Sequence, residues 1–225
     1  MEIEIIGRIQ NDFGTKFGIP RQSGMARTES RIVMEGRFRD PEYFRGLEAF
    51  SHIWLLWEFS ENTGHAEHAT VRPPRLGGST RVGVFASRSP FRPNSIGLSC
   101  VRPERIEQQQ DLGTVLVVTG ADLMNGTPIY DIKPYLPFAD SHPEALGGYT
   151  DETVKHRLQV EIPEELLQRF PGKAGEGLIE ALALDPRPSY QEDPDRVYGM
   201  EYAGRDVKFR VADGILQVVS VDELR

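Results

Sequence analysis

The chain has 225 residues, 39% of them hydrophobic, and a formal net charge of −8. That length and composition supply a full core, fit one larger unit plus a small one, and exclude disorder, while the acidic balance argues against indiscriminate coating of nucleic acid. No apolar run approaches the roughly 18–20 residues that span a bilayer, and the start MEIEIIGRI lacks the basic stretch and apolar block of a signal peptide. With Cys100 as the sole cysteine, a soluble protein of a reducing cytoplasm is expected.

Strand patterns dominate the first part of the chain. Residues 2–9 alternate around Ile3, Ile5 and Ile9. Residues 31–35, 52–59, 81–86, 96–101 and 115–119 are short runs of β-branched or aromatic residues bounded by Gly, Pro or Asn. So many short strands predict a mainly β fold, a β-barrel. No G-x-G-x-x-G follows a strand, so a doubly wound nucleotide fold is not expected. In 52–59, alternation puts His52, Trp54 and Leu56 on one face and Ile53, Leu55 and Trp57 on the other, and core packing is the expected role of both tryptophans. Cys100, in the apolar run IGLSCV, is expected to be a packed core thiol with no activating histidine nearby.

Around residues 140–151 the composition shifts to His, Pro, Gly and acid, which predicts a linker. Residues 163–170 begin with Pro and acids, the start of a helix, and 176–184 form a second helix stopped by Asp185-Pro186. Residues 197–202, 207–211 and 215–221, separated by Gly204-Arg205 and Asp213-Gly214, read as a strand meander. The second unit is therefore small and α+β.

The chemistry concentrates in two places. Between residues 71 and 107, Arg72, Arg75, Arg81, Arg88, Arg92, Arg102 and Arg105 face only Glu104 and Glu107, on stiff Pro- and Gly-rich loops. The guanidinium fork donates two parallel hydrogen bonds to carboxylate or phosphate, so this segment reads as an anion-handling surface. Gly77-Gly78 within it either admits a ligand to the backbone or merely turns the chain. The second place is Asn125-Gly126-Thr127-Pro128 followed by Asp131, Lys133, Pro134 and Tyr135. A turn, a carboxylate, an ammonium and a phenol in one rigid piece suit a site that holds a zwitterion and handles a proton. His65 and His68 stand in a polar loop without a convincing third ligand, so no metal is expected.

The strings RGLEAFSHIW (45–54), TVRPPRLGG (70–78), GVFASRSPFRPNSIG (83–97) and DIKPYLP (131–137) resemble the TsaA-like family, specifically its TrmO branch of tRNA methyltransferases. The likeness covers most of residues 3–142, and LDPRPSY (184–190) resembles the C-terminal unit of bacterial members. It implies a single-sheeted β-barrel over 1–142 that binds S-adenosylmethionine, with a small α+β domain over 143–225. It further implies a homodimer that methylates N6 of N6-threonylcarbamoyladenosine at tRNA position 37. The family's Pro-Arg-Gln motif matches Pro20, Arg21 and Gln22; its T/S-R-S arginine matches Arg88; its apolar position after N-P-I-G matches Leu98. Its D-G-T-P turn matches Asn125, Gly126, Thr127 and Pro128. Asn125 stands where Asp is usual, Ser95 where Pro is usual, and Phe59-Ser60-Glu61 where the family shows Phe-His, which places Ser60 and Glu61 at that cofactor contact.

Methyl transfer from a sulfonium is an in-line displacement, so the protein's main task is placement. The accepting nitrogen lies between a purine and a carbamoyl group and gains nucleophilicity on losing its proton, a step for which Asp131, Lys133 and Tyr135 are unranked candidates. Arg92 or Lys133 suits the threonyl carboxylate, and Arg72, Arg75 and the other arginines suit anticodon-loop phosphates. A non-catalytic β-barrel module for an anionic small molecule or RNA explains the arginines equally well but leaves Asp131, Lys133 and Tyr135 without a task. A hydrolase lacks a nucleophile and base at a recognisable spacing.

Overall fold

A computed structural model describes residues 2–62, 68–153, 157–188, 191 and 193–224, apart from the side chains of Arg75, Glu152 and Thr153. His65, Ser189 and Tyr190 therefore lie outside the described residues. The first part is mainly strand, with short 3-10 turns between: β1 (Gly7–Gln10), β2 (Glu29–Met34), β3 (Ile53–Glu58), the short ribbon β4 (Thr70–Val71) and β5 (Val82–Gly83), β6 (Ile96–Gln109), β7 (Gly113–Thr119) and β8 (Pro128–Pro134). Six of these pair antiparallel in the order β1-β2-β7-β6-β3-β8, and β1 pairs β8 as well as β2, so the sheet closes on itself.

The pleat decides what fills the interior. Ile9, Ile32, Ile53, Leu55, Trp57, Val101, Leu116, Val118 and Ile129 point inward and form one buried core. Trp57 is in that core as expected, but Trp54 lies on the outer face with Leu56 and is only half-buried. Cys100 also departs from expectation. Ser99 and Val101 take the inward positions of β6, so the intervening thiol faces outward and is partly exposed. Partial burial raises its pKa, as does the nearby Asp140 charge, so it is not an activated thiolate.

Several predicted boundaries shift. The first strand occupies Gly7–Gln10 rather than 2–9, and in 81–86 two strand residues give way to a 3-10 turn, Val84–Ala86. β6 runs on to Gln109 through a bulge between Pro103 and Arg105, where Pro103 still faces Val118 and Glu104 is the extra residue without a ladder partner. The rigid piece that follows the Asn125 turn is a strand, β8, whose prolines occupy its first and last positions, where a missing N–H is tolerated.

α1 (Pro137–Asp140) follows β8 at the end of the first part; the second part comprises β9 (Gln159–Glu161), α2 (Glu164–Leu167), α3 (Ala174–Ala183), β10 (Tyr198–Tyr202), β11 (Arg205–Ala212) and β12 (Ile215–Glu223). Its sheet has the order β10-β11-β12-β9, with β9 parallel to β12. Leu178, Leu182, Tyr198, Phe209 and Val218 centre a second buried core, which also takes in Phe13 from the segment after β1. The residues read as a linker are not featureless: a 3-10 helix covers Gly148–Thr153.

Candidate active site

The arginine-rich loops wall a cavity of about 1640 Å³. Arg21 and Gln22 line it from the segment before β2, Arg72 and Arg88 from the loops around β4 and β5, and Tyr149 and Thr150 from the 3-10 helix. Pro186 and Pro188 close it from the second part of the chain. Three of the expected cofactor residues and one expected substrate arginine thus share one cleft.

Hydrogen bonds fix its walls. Arg88 Nη1 donates to Gln22 Oε1 at 2.6 Å, and Arg21 Nη2 donates to the Arg187 carbonyl at 2.9 Å. Arg187 is itself held by Asp185, with Nε to Oδ1 at 2.8 Å and Nη2 to Oδ2 at 3.1 Å, and both side chains are largely buried. Such a bidentate, enclosed pair is geometrically specific, so the second unit supplies a rigid wall to the cleft. Arg92 spends Nη1 on the carbonyls of Ser87 and Ser89, at 3.0 and 3.5 Å, and so braces its own loop.

A polar knot lies behind this wall. Trp57 Nε1 donates to Ser99 Oγ at 2.9 Å, Ser99 Oγ donates to Asp122 Oδ1 at 2.5 Å, and the Cys100 amide donates to Ser23 Oγ at 3.0 Å. Burial pushes the Asp122 carboxyl above its ordinary value, opposed by the Ser99 hydrogen bond and by the Arg88 charge. Asp122 therefore couples the strand carrying Leu98 to the segment carrying Gln22. Sequence reasoning missed it because an acid in GADLMNG looks like any loop acid until Ser99 is known to point inward.

The candidates for chemistry stand on the outer face of β6, β3 and β8. Leu56 pairs with Leu98 on one side and Asp131 on the other, which sets those two about 10 Å apart in one row. The next row holds Cys100, Trp54 and Lys133. Lys133 Nζ meets Asp131 Oδ2 at 2.7 Å, and the Tyr135 ring packs 5.8 Å from Trp54 and 6.1 Å from His52. Asp131, Lys133 and Tyr135 are thus neighbours, with Leu98 exposed beside them. They do not line the large cleft.

The turn Asn125 to Pro128 belongs to neither surface. Asn125 Oδ1 accepts the Asn11 amide at 3.1 Å, the Gly126 amide donates to the Ile9 carbonyl at 2.8 Å, and Thr127 Oγ1 donates to the Met124 carbonyl at 2.7 Å. Gly126 takes φ 83, a conformation that excludes most side chains. This ties the turn to the segment after β1, where Asn125 borders a smaller cavity with Asn11, Asp12 and Tyr202. Ser60 and Glu61 form a 3-10 turn after β3, and Lys16 Nζ donates to the Glu61 carbonyl at 3.0 Å. Pro20 is buried, and the Arg75 side chain lies outside the described residues. Among the described residues no cluster could hold a metal ion, and no helix is long and apolar enough to cross a membrane.

The sequence matches the tRNA-methyltransferase O N-terminal domain over residues 8–141 and the TrmO C-terminal domain over residues 155–224. The chain belongs to the tRNA-methyltransferase O family. It is 37% identical to the tRNA (adenine(37)-N6)-methyltransferase of Escherichia coli, over 98% of this chain and 97% of that protein. It is 44% identical to the enzyme of the same name from Eikenella corrodens, over 77% of this chain and 97% of that one. The crystal structure of TrmO from Pseudomonas aeruginosa superposes with a TM-score of 0.80 at 33% identity, covering 100% of this chain and 97% of that one. Membership gives the separate surfaces a common context, since a macromolecular substrate and a cofactor must both be held.

Proposed function

We propose that the chain is an S-adenosylmethionine-dependent methyltransferase that acts on N6 of adenine 37 in tRNA. The carrying observation is the end-to-end match to the Escherichia coli enzyme of that activity. The arginine-walled cleft supports it. The reading extends to N6-threonylcarbamoyladenosine as the accepting base, to a TsaA-like barrel spanning 1–142 with a small α+β domain over 143–225, and to a cytoplasmic setting.

The residues present fit the cofactor. A cavity of about 1640 Å³ is ample for a group of that size, and Arg21 and Arg88 suit its carboxylate while Gln22 offers an amide. In this reading Pro20 sets the loop that carries Arg21 and Gln22, while Leu98, Ser60, Glu61 and the Asn125-Gly126-Thr127-Pro128 turn do not line the cleft and take no part in holding the cofactor there. When bound, S-adenosylmethionine supplies an electrophilic methyl group on a sulfonium. The chain holds the accepting nitrogen in line with it, worth roughly 7–11 kcal/mol of the barrier. Asp131, Lys133 or Tyr135 handles the proton that the nitrogen loses, and Arg72, Arg75 and Arg92 engage phosphate or the threonyl carboxylate. Calorimetry is expected to show saturable binding of S-adenosylmethionine, and no heat at millimolar ligand would overturn the cofactor reading.

A homodimer joins the two surfaces. Ile96 and Leu98 are exposed on the outer face that bears Asp131 and Lys133, an apolar stretch that a second copy would cover. Light scattering at micromolar concentration is expected to give twice the chain mass; a monomer contradicts the arrangement.

A further inference from the structure

Phe85 is 82% exposed and lines the large cleft. Its position is not loose. Val84 beneath it is buried, the Val84 amide donates to the Ala69 carbonyl at 2.9 Å, and the Val84 carbonyl accepts the Ser87 amide at 3.2 Å and Ser87 Oγ at 2.9 Å. A large ring held in water on a pinned turn forgoes burial, and only a partner can return that loss.

The surroundings define the partner. Arg72, Arg81 and Arg88 share the cleft wall with Phe85, and Arg81 is steadied by Nη1 donating to Thr70 Oγ1 at 2.9 Å. The cavity, at about 1640 Å³, exceeds the roughly 300–1,000 Å³ of a small-molecule site, which leaves room for a second group beside one cofactor. An exposed π-face among guanidinium groups matches an unstacked nucleobase flanked by its phosphates. We propose that Phe85 is a stacking platform for an unpaired anticodon-loop nucleobase. This rests on the tRNA reading above and adds to it a base-contacting residue distinct from the phosphate-contacting arginines.

The test compares Phe85→Ala, Phe85→Leu and Phe85→Trp with the parent protein, using tRNA carrying 2-aminopurine in the anticodon loop and titrations over a range of salt. Phe85→Ala and Phe85→Leu are expected to weaken tRNA binding about 5- to 150-fold and to change the 2-aminopurine emission of the bound complex, while Phe85→Trp retains binding. The slope of log affinity against log salt should stay at the parent value in all three, because stacking displaces no counterion. Arg72→Ala, in contrast, should shrink that slope by about one unit or less. Parent-like tRNA binding in Phe85→Leu overturns the proposal. So does weakened S-adenosylmethionine binding with intact tRNA binding, which assigns the ring to the cofactor, or a fall in assembly mass, which assigns it to a second copy. A parent protein that binds no tRNA defeats the underlying reading instead.

Discussion

Lys133→Ala is expected to lower the single-turnover methylation rate by about 10²-fold at saturating tRNA and cofactor, with both affinities near the parent values. The side chain sits on the outer face, paired with Asp131 at 2.7 Å, and the two side chains are 60% and 45% exposed. A pair so open to water contributes only about 0–1 kcal/mol to folding, so the thermal midpoint should scarcely move and the rate loss can be read as chemistry. A second substitution separates the roles of the partners. If Asp131 only orients the ammonium, Asp131→Asn with Lys133→Ala should cost no more than Lys133→Ala alone; if Asp131 takes the proton, the losses should compound. Tyr135→Phe tests the remaining candidate, whose ring is already placed by Trp54 and His52. Parent-like rates in Lys133→Ala and Tyr135→Phe together would remove both residues from the mechanism.

What the sequence disclosed follows from the range over which each signal acts. The mainly β first part was legible because alternation and bounding Gly or Pro are local, and Ile53, Leu55 and Trp57 fall inside as their spacing requires. β8 was hidden because Pro128 and Pro134 speak against a strand until their end positions are known. The arginine cluster was visible as composition, but its grouping around one cleft depends on Pro186 and Pro188, roughly a hundred residues further along the chain. Asp122 and Phe85 were missed for opposite reasons. One is a loop acid that Ser99 draws into a polar knot, and the other stands in a run whose pattern reads as strand but whose 3-10 turn leaves the ring exposed in the cleft. The expected cofactor turn at Asn125 lies apart from the cleft for a reason no local pattern contains, its pairing with Asn11 and Ile9.

The segment after β1 carries the largest expected effect on stability. Phe13 is fully buried, yet it packs in the core of the second unit, 5.3 Å from Tyr202 in an edge-on contact that also involves Phe170 against Tyr202 at 6.1 Å. Phe17 stacks on Phe209 at 6.4 Å, and the Ala203 amide donates to the Asp12 carbonyl at 2.9 Å. Phe13→Ala leaves a ring-sized void that rigid strands cannot close, so it should cost about 3–5 kcal/mol. For a chain of this length that lowers the thermal midpoint by roughly 6–20 °C, read by calorimetry. Because the ring comes from the first unit and fills the second, heating the parent protein should give one transition. A piece containing only residues 143–225 should melt without cooperativity, lacking both Phe13 and Phe17. Two separate transitions in the parent, with Phe13→Ala shifting neither by more than a degree or two, would mean that the units fold independently and that the segment is an ornament of the second core.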